Sequence, residues 1–167
     1  MSQHNTGLLN EAMLADISTP RIAVVYTEWN DQIIAGLREG CKHVLTRYGA
    51  SIQEHAVPGA FELPFACRRV WECTAGSSMQ PEAIIAFGAV IRGGTPHFEY
   101  VCNAVTDGIL QLNMTLPIPV IFGVLTLDTE AQAYERLGGP HGHKGEEAAL
   151  TALKMIKMNR ELATGKK

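Results

Sequence analysis

The chain has 167 residues, 46% of them hydrophobic and 19% charged, and its formal net charge is −3 at pH 7. This size and balance predict one globular domain with a full hydrophobic core, and they exclude a disordered chain and a disulfide scaffold. The slight negative charge excludes nucleic acid as the main partner, because a phosphate backbone requires a concentrated basic face. We predict a single domain over residues 1–167, with an N-terminal extension at 1–20 and an α/β core at 21–162.

Four segments have the pattern of strands buried in a parallel sheet. They are continuously apolar or rich in β-branched residues, and three of the four lack the alternation of a half-solvated strand. The predicted strands are Ile22–Tyr26, Ile52–Val57, Ala83–Ile91 and Val120–Thr126.

Helical patterns alternate with these strands. The first has Asn30 as its predicted N-cap, carries an apolar stripe of period 3.6 and ends at Gly49. The later predicted helices are Leu63–Glu72, Pro96–Leu112, Thr129–Leu137 and Glu146–Leu162. Thr129 and Gln132 have the spacing of a capping box, and Gly138 is expected to stop that helix about two turns later.

Strands and helices alternating along the whole chain predict a three-layer α/β/α sandwich with a four-stranded parallel sheet, flavodoxin-like in type. In such sheets a ligand binds beyond the carboxyl ends of the strands, near the point where the strand order reverses. The sequence after the strands contains neither a dinucleotide fingerprint nor a P-loop, so nucleotide binding of the usual kinds is disfavoured.

The segment Arg92–His97 follows the third strand and suits an anion site. Thr95 is a competent N-cap and Pro96 fits the first helical position. Gly93 and Gly94 would allow backbone amides to approach an anion at the positive end of the helix dipole. These features suit a phosphate, and a tight strand-to-helix turn with an ordinary cap explains them equally well.

Three side chains at the strand ends could act on a substrate. His97 falls in the first helical turn, where the dipole disfavours the imidazolium, so the ring is expected to be neutral near pH 7 and able to transfer protons. A plain surface histidine is the alternative. Trp29, in a polar loop, could stack on a flat heteroaromatic ring or fold back as a lid on the core. Glu62 is explained more simply as a partner of a helix dipole than as a ligand contact.

The cysteines and the remaining histidines predict neither disulfides nor a metal site. The four cysteines form no Cys-x-x-Cys pair and lie in apolar runs, which predicts buried free thiols and a reducing, cytoplasmic compartment. His141 and His143 alone do not complete a metal site. Arg136 is expected at a helix C-terminus, where it would compensate the dipole.

Residues 1–19 lack a leader pattern and no segment approaches the ~20 apolar residues of a membrane span, so no membrane partner is expected.

Together these segments resemble the lumazine synthase family of riboflavin biosynthesis. The matching stretches run from about Arg21 to Met158, and they are Trp29-Asn30, Pro58–Glu62, Val90–Val101, Pro119–Thr126, Glu135-Arg136 and Lys144-Gly145. The resemblance implies that 5-amino-6-ribitylaminouracil condenses with 3,4-dihydroxy-2-butanone 4-phosphate, giving 6,7-dimethyl-8-ribityllumazine, phosphate and water. This is the penultimate step of riboflavin biosynthesis, and no cofactor is expected.

The resemblance also implies roles for individual residues. The position of Trp29 stacks on the pyrimidine, and that of His97 transfers protons. Other substrate-binding positions are Asn30, Ala60, Phe61, Glu62, Val90 and Ile91, of which the last five hold the ring and the ribityl chain. The phosphate site is matched by Gly94, Thr95 and Arg136. In the family Phe122, Arg136 and Lys144 come from the neighbouring subunit of a pentamer, so a homo-oligomer of five, ten or sixty subunits is expected.

Three positions depart from the pattern of the family. Pro140 and His143 differ from the common Thr-Lys-Ala-Gly-Asn form of the loop after Arg136, which leaves shell formation open. Glu28 stands where many members carry a basic residue. The alternative functions are a catalytically silent protein that binds flavin or lumazine, and a structural shell.

Overall fold

A four-stranded parallel sheet lies at the centre of the computed structural model, which describes residues 10–165. Its strands are Arg21–Thr27 (β1), Ser51–Val57 (β2), Ala83–Ile91 (β3) and Val120–Leu127 (β4), in the order β2-β1-β3-β4. Each strand lies within one residue of its predicted bounds, and the predicted sandwich is confirmed. Of the predicted N-terminal extension, residues 1–9 lie outside the described part of the chain, and the single domain stays a prediction.

Helices cover both faces of this sheet. They are Asp31–Arg47 (α1), Leu63–Thr74 (α2), His97–Thr115 (α3), Ala131–Tyr134 (α4) and Lys144–Thr164 (α5), with short 3₁₀ turns at Ala12–Leu14 and Ala60–Glu62. Successive residues of a strand point to opposite faces. Accordingly Ile22 and Val24 of β1 are buried with residues of α1 and α5, whereas Ala23 and Val25 are buried with residues of α2 and α3. The sequence of β1 is apolar throughout because both of its faces are covered.

The strand order fixes where the crevice of this sheet lies. From β1 the chain moves to β2 on one side, and it then crosses to β3 on the other side. The strand order therefore reverses between β1 and β3, and the loops that leave these two strands diverge there. The register pairs Thr27 with Val57, so β1 and β2 end level with each other.

Neither of the two predicted helix caps at the carboxyl edge of the sheet makes a side-chain capping bond, although Asn30 does occupy the N-cap position of α1. Asn30 precedes α1 in a left-handed conformation with φ 61°, and its side chain makes no capping bond. The side chain instead bridges to a neighbouring strand, as described below. α3 begins at His97 with Pro96 as its N-cap residue, so Thr95 is one residue too early to cap it.

The segment after β4 also differs from its prediction. Gln132 does not complete a capping box with Thr129, because its side-chain oxygen accepts a hydrogen bond from the backbone N–H of Asp128 at 2.8 Å. α4 has only four residues, and Leu137–Gly139 (β5) pairs antiparallel with Gly142–His143 (β6). Gly138 and Gly142 have φ of 102° and 74°, which glycine adopts readily, so these glycines shape a hairpin rather than stop a helix.

The cysteines are free, but only two of them are buried as predicted. Cys41 and Cys67 lie in the core, Cys102 is half-buried and Cys73 is exposed. Burial raises the pKa of the Cys41 and Cys67 thiols to about 12. The reactive thiolate form of each is therefore scarce at about pH 8.

We expect Cys41 and Cys67 to resist a disulfide-exchange reagent in the folded protein and to react once the chain is unfolded in denaturant. Thiol titration with and without denaturant, with the labelled sites mapped by mass spectrometry, measures this. Rapid labelling of Cys41 in the native protein would contradict the prediction.

Candidate functional site

A cleft of about 660 Å³ opens at the carboxyl ends of β1, β2 and β3. It lies where the strand order reverses, as parallel sheets of this type predict. The predicted site residues that line the cleft are Trp29, Asn30, Ala60, Phe61, Glu62, Val90, Ile91 and His97. The sequence therefore predicted most of the lining of this cleft, although the residues come from four separate segments of the chain.

Two large aromatic side chains project from the cleft lining into solvent. Trp29 is 73% exposed and Phe61 is 62% exposed, so the alternative in which Trp29 folds back onto the core is wrong. The Trp29 loop is nevertheless anchored, because its carbonyl accepts a hydrogen bond from the buried Thr27 hydroxyl and its N–H donates to the carbonyl of Pro58. Exposed aromatic faces beside a cleft are suited to stack on a flat ring.

Asn30 ties the exit of β1 to β3. Its side-chain Nδ2 donates to the carbonyl oxygen of Ala89 at 2.8 Å. The left-handed backbone of Asn30 directs the chain from β1 into α1, and asparagine tolerates that conformation better than most residues. This hydrogen bond links β1 to β3, the two strands between which the strand order reverses. Both of its partners line the cleft.

Glu62 has a defined structural role in the turn after β2. Its Oε2 accepts a hydrogen bond from the backbone N–H of Gly59 at 3.0 Å, which closes the 3₁₀ turn Ala60–Glu62. The expectation that Glu62 stabilises a helix start therefore fits, although the contact is a specific backbone bond. The carboxylate also lines the cleft, so this role does not remove it from the site.

Arg92 joins three elements at the edge of the cleft. Its Nε donates to Oδ1 of Asp128 at 2.9 Å, its Nη1 donates to Glu99, and its guanidinium lies 4.1 Å from the centre of the Phe98 ring. The bond from Arg92 lowers the pKa of Glu99 below its ordinary value. One of these carboxylates, Asp128, directly follows β4, and the other, Glu99, belongs to the first turn of α3. By pairing with both, Arg92 holds the start of α3 against the ends of β3 and β4.

The predicted phosphate loop lies between Arg92 and α3. Gly94 and Thr95 are exposed and stand directly before the start of α3, and the space around Gly94 is open. They are not among the residues that line the cleft. His97 is the first residue of α3, is exposed, and makes no side-chain hydrogen bond to another residue in the range 10–165. Its ring is therefore available to a bound molecule.

Three predicted residues lie away from this cleft. Phe122 and Lys144 line a second cavity of about 470 Å³ beside β4, the strand at the edge of the sheet. The Nζ of Lys144 pairs with Glu147 at 2.7 Å. Arg136 follows α4, and its Nη1 donates to the carbonyl of Gln132 at 2.7 Å, as expected of an arginine at a helix C-terminus. One chain alone does not bring Phe122, Arg136 and Lys144 to His97.

Some residues of the cleft were not predicted as substrate contacts. Pro58, Gly59, Ala89 and Val101 also line it. Val101 follows His97 by four residues, so helical periodicity places both on one face of α3 and could have identified Val101.

Among the described residues, no three His, Cys, Asp or Glu side chains cluster so as to hold a metal ion. Of the helices in residues 10–165, none combines the length and the hydropathy needed to cross a bilayer.

The fold and the cleft define a class of proteins: α/β sandwiches with a cleft at the carboxyl edge of a parallel sheet, which in this chain is lined by exposed aromatic residues and a histidine. The family model described as 6,7-dimethyl-8-ribityllumazine synthase matches residues 19–160. Curated relatives carry the same name. The one from Porphyromonas gingivalis is 48% identical over 84% of this chain and 86% of its own, and the one from Parabacteroides distasonis is 45% identical over 84% and 87%.

A relative from Halorhodospira halophila, with the same name, is 44% identical over 92% of this chain and 97% of its own. The chain therefore belongs to the 6,7-dimethyl-8-ribityllumazine synthase family.

Proposed function

We propose that this chain condenses 5-amino-6-ribitylaminouracil with 3,4-dihydroxy-2-butanone 4-phosphate, giving 6,7-dimethyl-8-ribityllumazine, phosphate and water. The observation that carries the proposal is the cleft itself, in which Trp29, Phe61 and His97 line one cavity at the point of strand reversal. In this proposal Trp29 stacks on the pyrimidine ring, and the residues of the turn after β2 and the end of β3 bind the ring and the ribityl chain.

His97 is the proposed proton-transfer residue. Attack of an amine on a carbonyl, loss of phosphate, tautomerisation and ring closure each move a proton between carbon, nitrogen and oxygen. One imidazole beside the reacting atoms can serve several of these steps, because it both accepts and donates protons near pH 7. The exposed ring of His97, without a hydrogen bond to any other described side chain or backbone group, fits that task.

The phosphate would bind at the start of α3. Gly94 and Thr95 precede a helix of 19 residues, whose first backbone N–H groups and positive dipole end attract an anion. Open space around Gly94 permits close approach. We assign the balancing positive charge to Arg136 and Lys144 of a neighbouring subunit, since neither of these residues lines the cleft of its own chain.

The proposed assembly is a pentamer, or a multiple of pentamers, with the sites between subunits. Exposed apolar side chains support self-association: Phe65 is 71% exposed on α2, Met114 is 78% exposed on α3, and Phe122 is 43% exposed on β4. Large exposed apolar side chains of this kind mark interaction surfaces.

The four free thiols are in the state that a reducing compartment maintains, which supports the cytoplasmic location that we propose.

The alternative of a silent binding protein or a shell without chemistry has less support. A carrier of a ligand without phosphate would need neither the open loop before α3 nor an available histidine beside it. The curated relatives are also named as synthases.

Incubation of the purified protein with both substrates tests the function. We expect the fluorescent lumazine to form faster than in the spontaneous condensation, with one phosphate released for each lumazine formed. The mass of the intact particle, measured in the same preparation, gives the number of subunits. Binding of lumazine without any acceleration of its formation would reject the proposal and leave the carrier.

A further inference from the structure

Two glycines on α1 form a groove in which the β5–β6 hairpin is seated. Gly36 and Gly40 are four residues apart and therefore lie on one face of the helix. A Cβ atom on Gly40 would lie 2.1 Å from Cε1 of His143, and a Cβ atom on Gly36 would lie 2.9 Å from Cδ1 of Leu137. Both separations are below van der Waals contact, so neither side chain could keep its position if the groove were filled.

The two side chains in this groove are paired across the hairpin. Leu137 of β5 is opposite His143 of β6 in the ladder. Each of the two α1 glycines therefore contacts a side chain from a different strand of the hairpin. The Nδ1 atom of His143 is buried and has no hydrogen-bond partner among the described residues, so the ring contributes shape here rather than a polar bond.

The base of the hairpin carries the two cations assigned to the phosphate. Arg136 immediately precedes Leu137, and Lys144 immediately follows His143. The backbone N–H of Lys144 donates to the carbonyl of Arg136 at 2.8 Å, so the two residues are joined where the hairpin closes. A displacement of Leu137 or His143 would thus be transmitted directly to both cations.

We propose that the groove formed by Gly36 and Gly40 is a positioning device for Arg136 and Lys144, which the hairpin presents to the phosphate of a neighbouring subunit. This inference rests on the proposed function. The glycines touch no substrate. They determine how closely the hairpin approaches α1, and hence where the guanidinium and the ammonium lie.

The substitution Gly40→Ala fills the groove at its narrowest point. We expect it to raise the KM for the phosphate-bearing substrate roughly 10-fold or more while the KM for the pyrimidine substrate stays within about 2-fold, because small displacements of binding groups cost large factors. Binding of inorganic phosphate, measured by calorimetry, should weaken in parallel. Gly36→Ala, whose Cβ meets only the flexible end of Leu137, should give a smaller rise and serves as the second variant if Gly40→Ala does not fold.

A compensating pair of substitutions separates positioning from general damage. In Gly40→Ala/His143→Ala the imidazole that the new Cβ would strike is gone, so the KM for the phosphate-bearing substrate should return to within about 3-fold of the original value. Gly108→Ala is the matched control, because its Cβ would lie 2.5 Å from Cγ of Pro64, also well below van der Waals contact but in the opposite helix layer. It should not raise that KM selectively.

An unchanged KM for the phosphate-bearing substrate in folded Gly40→Ala, an equal rise for both substrates, or no recovery in the double variant would overturn the inference. Arg136→Ala separates this failure from failure of the proposed function. If Arg136→Ala raises the KM and Gly40→Ala does not, only the groove is rejected. If Arg136→Ala has no effect, the assignment of the phosphate site is itself wrong.

Discussion

Replacement of His97 by alanine is expected to slow the condensation about 10²-fold while both substrates still bind. The histidine lies at the start of α3 beside the cleft, where its ring can exchange protons with the reacting atoms. The reaction should not be abolished, because much of the acceleration comes from holding two substrates in register, which His97→Ala leaves intact. Steady-state rates give kcat, and titration with each substrate gives the affinity.

The control for this prediction is His43→Ala. His43 is an exposed histidine of α1 outside the cleft lining, so its loss should leave the rate unchanged. A His97→Ala protein that loses substrate binding but retains the chemical step would contradict the assigned role.

Replacement of Arg136 by alanine is expected to raise the KM for the phosphate-bearing substrate by roughly 10- to 150-fold, the range given by a lost charge-assisted hydrogen bond of about 1.5–3 kcal/mol. The KM for the pyrimidine substrate should change little, because the pyrimidine contacts other residues. The Arg136 guanidinium contacts only near neighbours in its own chain, the carbonyl of Gln132 and, at 3.8 Å, the carboxylate of Glu135, so the fold should tolerate its loss. Saturation curves for each substrate, taken with the other in excess, measure the two KM values.

Arg47→Ala is the matched control, since Arg47 is also an arginine at a helix C-terminus and pairs with Glu11 on the surface. If Arg136 only compensated the dipole of α4, both substitutions would cost a few tenths to about 1 kcal/mol of stability and neither would change a KM. That outcome would remove Arg136 from the phosphate site.

The fold was predictable because its signals are local. A strand such as β3 is covered on both faces, so its sequence is apolar throughout, and its bounds coincide with the predicted ones. The helix α1 carries its apolar residues at a period of 3.6, and the predicted stripe is buried. Once the strands are known to be parallel, their carboxyl ends must meet at one edge, which is why residues 29–30, 60–62 and 90–97 were expected near one another.

The remaining features depend on contacts between distant parts of the chain. Asn30 looks like a helix cap in sequence, but the carbonyl of Ala89, 59 residues away, takes its side-chain amide instead. Gly138 looks like a helix stop, and it forms a hairpin because α1 offers a groove in which that hairpin packs. No local sequence pattern indicates that Asn30 bonds to Ala89 or that the hairpin packs against α1.

The residues assigned to a neighbouring subunit are a separate case. Phe122, Arg136 and Lys144 were expected at the site only through the resemblance to the family, since nothing in their own sequence context distinguishes a substrate contact from a surface charge. In the single chain Phe122 and Lys144 line the cavity beside β4, Arg136 follows α4, and none of the three lines the cleft that contains His97. Their role therefore depends entirely on the proposed assembly.

Co-assembly of the His97→Ala and Arg136→Ala chains tests most directly whether each site is shared between two subunits. In mixed particles of equal composition, about a quarter of the interfaces should combine an intact His97 from one subunit with an intact Arg136 from the next, because such an interface is heterologous. With the phosphate-bearing substrate far below the KM of the Arg136→Ala chain, we predict that the mixed particles are much more active than either parent, approaching that fraction of the unsubstituted rate. An activity equal to the mean of the two parents would show that each chain completes its own site, and it would contradict the shared site proposed here.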